Sequence, residues 1–118
     1  MAEPEPESVP DILRGTFDLL ILKALSWGPL HGYGVARQIE EATNDALVVG
    51  EGTLYPALHR LEKRGWLKSE WGVSEANQRA KYYRLTAAGK AQLLREQDRW
   101  AQLVHAIGRI MNPVVGEE

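Results

Sequence analysis

The chain has 118 residues, 44% of them hydrophobic and 25% charged, with a formal net charge of −2. That length supports one domain with a modest core and is too short for two ordinary ones. No apolar run approaches the about 20 residues that span a bilayer, so no membrane association is expected. The absence of cysteine excludes disulfides, thiolate metal sites and cysteine nucleophiles. Charge is unevenly distributed: residues 51–86 hold seven Lys/Arg against four Asp/Glu, and no other stretch is basic.

Residues 1–10, "MAEPEPESVP", are acidic and proline-rich and are expected to form a disordered tail. They lack the basic start and apolar core of a secretory signal, so a cytoplasmic location is expected. From Asp11 to Trp27, Leu13, Phe17, Leu20, Ile21, Ala24 and Leu25 recur at helical spacing until "GPLHG" stops the run. Ile12, Leu19 and Leu22 fall on the other side of this helix, so a second partner surface is expected there. "HGYGVARQIEEAT" predicts a second helix with Val35, Ala36, Ile39 and Ala42 inward, and "NDALVVGEG" a turn.

In "GTLYPALHRLEKRGW" the leucines Leu54, Leu58 and Leu61 line one helical face. Thr53 is the expected N-cap, which puts Pro56 at the third helical position, and Gly65 is the expected C-terminal glycine. "WLKSEWGVS" and "AKYYRLT", separated by polar "EANQR", predict a hairpin. Thr86 then caps a last helix of about seven turns. Along it Leu93, Trp100, Val104, Ile107 and Met111 step as a coiled-coil-like seam interrupted by Gln97. The expected fold is mainly α with a small β-hairpin: tail 1–10, a winged helix-turn-helix domain over 11–86, a C-terminal dimerisation helix over 87–112 and a tail over 113–118.

At about 100° per residue, Tyr55, Pro56, His59, Arg60 and Lys63 lie opposite the leucines of the third helix, with Thr53 at the edge. Such a face on its own can be plain solvated surface. Three helices followed by a hairpin carrying Arg79 and Lys81 make a different context, one in which the third helix enters the major groove and the hairpin meets phosphates or the minor groove. The three histidines fall on three elements without paired spacing, no serine sits in a nucleophile elbow, and no glycine pattern forms a phosphate loop. No enzyme activity, metal site or cofactor is expected.

"GPLHGYGVARQIEE", "GTLYPALHRLEKRGWL" and "SEANQRAKYYRLTAAGKAQL" together resemble the PadR family of bacterial transcriptional regulators over roughly residues 12–95. The resemblance implies a homodimeric repressor that binds an inverted-repeat operator in double-stranded DNA and is released by a small molecule or another signal. It maps DNA reading to Thr53, Tyr55, Pro56, His59 and Arg60, the basic wing to Arg79 and Lys81, and a backbone contact to Tyr33; Lys63 joins them from the helical wheel. At the wing tip many relatives have "GRPRKYY" where this chain has "NQRAKYY".

Dimerisation would cover both the last helix and the second face of the first. The expected interface comprises Ile12, Leu19, Leu22, Leu93, Trp100, Val104, Ile107 and Met111. Trp100 is the candidate for stacking on a small aromatic effector, with Trp71 either joining the same site or capping the core of the wing, whereas Trp27 and Trp66 are expected to close helix ends against the core. The competing reading is a winged-helix protein interaction module whose basic face binds an acidic partner without operator recognition.

Overall fold

The computed structural model describes residues 8–112, with side chains from residue 15 onward. Helix α1 (Ser8–Ala24) runs into a 3-10 turn (Leu25–Trp27), followed by strand β1 (Leu30–His31), helices α2 (Gly32–Ala42) and α3 (Glu51–Lys63), strands β2 (Leu67–Val73) and β3 (Arg79–Leu85), and helix α4 (Ala87–Met111). This is a winged helix-turn-helix with a long C-terminal helix. Of the tail expected over residues 1–10, residues 8–10 form the first turn of α1; Pro10 is compatible because the first-turn amides have no intrahelical acceptor. Residues 1–7 and the expected tail 113–118 lie outside the described residues.

The core is organised around α1. Ile21 and Leu22 are fully buried, enclosed by Val35 and Ile39 of α2, Leu54, Leu58 and Leu61 of α3, Leu67, Tyr83 and Leu85 of the sheet, and Leu93 of α4. Each such side chain contributes about 1.5–3 kcal/mol on burial. Leu19, Leu22 and Leu93 were expected on a dimer surface, and the structure corrects this: all three belong to the subunit's own core. A central helix contacted from several sides is apolar nearly all round without any second subunit. Trp27 also departs from expectation. It is 65% exposed, with the Lys23 ammonium 5.4 Å from its ring centroid, whereas Trp66 packs against the core as expected.

Local chemistry sets the helix ends. His31 caps α2, its Nδ1 accepting the Gly34 N–H at 2.9 Å. After α2, Asn44 and Asp45 adopt φ of 52° and 63°, a left-handed conformation that these residue types tolerate. Helix α3 begins at Glu51 with Gly50 as its cap, three residues before the expected start, so Pro56 stands at the sixth helical position and not the third. Having no N–H, Pro56 cannot bond the Gly52 carbonyl one turn back. At the other end the Gly65 N–H bonds Glu62 O at 2.9 Å and the Trp66 N–H bonds Leu61 O at 3.1 Å. With Gly65 at φ 82°, this is the Schellman closure that the glycine signalled.

The sheet contains three antiparallel strands in the order β1-β3-β2. β1 is an addition to the expected hairpin, pairing Leu30 with Tyr83 and His31 with Tyr82. At the wing tip Asn77 adopts φ 61° and its N–H bonds Ser74 O. Asparagine thus supplies the left-handed residue at the position of the glycine in "GRPRKYY", and the hairpin closes without it.

Thr86 joins the wing to α4. Its hydroxyl accepts the Gly89 N–H at 2.9 Å and donates to Gly65 O at 2.7 Å, while its own N–H bonds Trp66 O at 3.1 Å.

Candidate nucleic-acid interface

The inward stripe of α3 leaves the opposite face of the helix in solvent. Thr53, Tyr55, Pro56, His59 and Lys63 are all exposed, and His59 and Lys63 make no hydrogen bond or ion pair among the described residues. Tyr55 is held in place by a neighbour: its ring lies against Gly32 at the start of α2, where an added Cβ would meet Tyr55 Cε1 at 2.6 Å. Gly32→Ala is therefore expected to push the ring off α2 while leaving the core intact. In that variant the environment of the Tyr55 ring in NMR spectra should change with little loss of thermal stability.

Strand pairing determines which wing residues join this face. Trp71 is opposite Lys81 and Val73 opposite Arg79, on the same side of the sheet as the Leu67–Leu85 and Ser69–Tyr83 pairs. That side packs on α3 near its base, where Glu62 accepts a hydrogen bond from Ser69 and lies 3.7 Å from the Lys81 ammonium. Towards the tip the same side is open, and the Arg79 guanidinium sits 4.2 Å over the Trp71 ring. His31 Nε2 is 3.5 Å from a Glu75 carboxylate oxygen across the wing's flank. The backbone N–H of Glu75 and then the His31 ring hold that carboxyl below its ordinary range.

These elements enclose a concavity of about 630 Å³ whose walls include Tyr33, Tyr55, Trp71, Arg79 and Lys81. Five residues singled out in the sequence thus converge on one cleft between α3 and the wing. Tyr55 is the one residue of α3 in its wall; Thr53, Pro56, His59, Arg60 and Lys63 lie outside it. The Arg60 Nη2 donates to Asp18 Oδ1 of α1 at 2.5 Å, with the two side chains 30% and 17% exposed. Burial raises the Asp18 carboxyl above its usual range against the opposing effect of Arg60.

The C-terminal helix carries the second surface. Trp100, Val104, Ile107 and Met111 are exposed, together with Leu103 and Ile110, which the heptad count passed over. The side chain of Ile12 lies outside the described residues. Trp100 borders a second concavity of about 270 Å³ with Gly15, Thr16, Leu19, Arg99 and Leu103. Trp71 lies on the wing, in the other cleft, so the two tryptophans do not share a site within one subunit. Among the described residues no group of three His, Asp or Glu could hold a metal ion, and no helix is long and apolar enough to cross a membrane.

Comparison with known proteins agrees with this architecture. The family model for the transcriptional regulator PadR-like family matches residues 21–95. A transcriptional regulator of Mycobacterium tuberculosis is 35% identical over 94 residues, covering 80% of this chain and 84% of its own length. The structure of a transcriptional regulator from Clostridium thermocellum superposes with a TM-score of 0.75 at 35% identity, covering 84% of this chain and 96% of that one. A PadR family regulator from Eggerthella lenta gives 0.70 at 30% identity, with 91% of each chain covered. The chain belongs to the PadR-like family of transcriptional regulators, proteins that act by binding DNA and not as enzymes.

Proposed function

We propose that this regulator is a cytoplasmic homodimeric repressor of an inverted-repeat operator. Thr53, Tyr55, Pro56, His59 and Lys63 face the major groove, Arg79 and Lys81 meet the phosphates, and Tyr33 makes a backbone contact. The carrying observation is the exposed polar face of α3 next to the wing, joined to it through the cleft where Tyr55 meets Arg79 and Lys81. Phosphate contacts position such a domain while base-edge contacts specify its site. The apolar stripe of α4 pairs two subunits, which places two recognition helices about 10 bp, or a multiple of that, apart on the operator. Trp100, half exposed beside the smaller concavity, is where a flat aromatic effector stacks to release the repressor.

Fluorescence anisotropy of the protein titrated with its own upstream DNA and with a shuffled control, at two salt concentrations, tests the reading. Selective, salt-sensitive binding at two subunits per site is the expected result. Equal binding to both sequences, or saturation at one subunit per site, refutes it. Arg79→Ala should weaken binding to all sequences alike and reduce the slope of log K against log salt by about 0.9, the signature of one lost phosphate contact.

A further inference from the structure

We infer that Arg60 is a positioning residue: its ion pair with Asp18 ties the recognition helix to α1, and it does not itself read a base. The inference rests on the DNA-binding reading above and changes the role of one residue within it. Three observations carry it.

First, the guanidinium is already engaged. Bidentate recognition of guanine requires two guanidinium N–H groups presented to a base edge, whereas Arg60 Nη2 donates to a carboxylate on another helix, with both side chains less exposed than the open face of α3. Second, α3 holds its own N-terminal half weakly. Gly50 offers no side-chain cap, and Pro56 contributes no hydrogen bond to the preceding turn. The setting of the reading residues, all within about two turns of Arg60, therefore depends on ties to neighbouring elements. The Asp18–Arg60 pair is one such tie, and removing either partner leaves a partly buried charge without its hydrogen-bonded counter-ion. Third, α1 also borders the other surface. Gly15, Thr16 and Leu19, within one turn of Asp18, line the concavity with Trp100 and Leu103 of α4. A displacement of α1 at that concavity is thus passed to the recognition helix through a charged contact between two helices.

The test uses the full-length chain with Asp18→Asn, Arg60→Ala, the double variant and the exchanged pair D18R/R60D, each checked for cooperative thermal unfolding. Binding is measured to a sequence selected by the wild type from a random DNA pool and to a shuffled control. Each single variant should lose affinity for the selected sequence by a similar factor, on the order of tenfold, the double variant losing no more than either. The salt slope and the preferred base at every position should remain those of the wild type, and the exchanged pair should recover part of the loss.

The inference is overturned if Arg60→Ala relaxes the preference at one base pair while Asp18→Asn binds normally, because Arg60 is then a reader. A salt slope lowered by about 1 in Arg60→Ala overturns it equally, through a phosphate contact. If the wild type selects no sequence, the DNA-binding reading fails, and amide hydrogen exchange without DNA decides the tie. Faster exchange over residues 54–63 in both single variants supports it, and unchanged exchange overturns it.

Discussion

Ile107→Glu is expected to break the proposed α4 dimer and give a folded monomer without operator binding. Ile107 lies on the exposed stripe of α4 with Trp100, Leu103, Val104, Ile110 and Met111, and its side chain packs against nothing in the core of its own subunit. In a twofold-symmetric interface each substitution counts twice. Two isoleucine side chains lose about 1.5–3 kcal/mol of burial each, and two carboxylates of like sign enter an apolar seam at a further cost of several kcal/mol. The dissociation constant of the dimer should rise by at least about a thousandfold, while the thermal transition of the winged domain stays cooperative. Sedimentation velocity across a concentration series gives the answer. A dimer that persists places the interface elsewhere, and a monomer with undiminished operator affinity removes the need for a palindromic site.

The second large effect concerns stability. At Gly89 an added Cβ would lie 2.0 Å from the Trp66 carbonyl oxygen and 3.0 Å from its carbon. Both atoms are backbone, and that carbonyl also accepts the Thr86 N–H, so no side-chain rotation relieves the clash. Gly89→Ala must displace α4 from the backbone that follows α3. The expected loss is about 3 kcal/mol or more, a fall in melting temperature on the order of 10 °C. Gly52→Ala is the control, a helical glycine with nothing within 4 Å of the added Cβ, expected within about 1 kcal/mol of the wild type. Similar behaviour of the two variants would mean that the junction yields.

The signals that proved readable in the sequence were local and chemically specific. Gly65 at the end of α3, Thr86 at the start of α4 and the aromatic-rich hairpin are each set by a few adjacent residues, and each stands where its signal placed it. The exposed polar face of α3 followed from the wheel, Arg60 apart, because its leucines point consistently inward. What failed was global. Periodicity registers that Leu19 and Leu22 are apolar on a second face but cannot tell whether that face is covered by another helix of the same subunit or by a partner. β1 has only two residues, too few for any alternation to register. Thr53 is a good capping residue, but the helix starts earlier at a glycine. The partner of Arg60 lies 42 residues away, beyond any spacing argument, so its guanidinium could be placed only once α1 and α3 were packed together.

Thr86 bonds the end of α3, the start of β2 and the first turn of α4 at once, and Gly89 brings α4 into backbone contact with Trp66. No hinge therefore separates the 25-residue α4 from α3: the winged head rides on a lever about 37 Å long. In the proposed dimer, a change of roughly 5° in the angle at which two such levers cross moves each head by about 3 Å. That distance is comparable to the rise of one base pair, so a modest disturbance at the seam is enough to carry the two heads out of step with successive turns of the double helix.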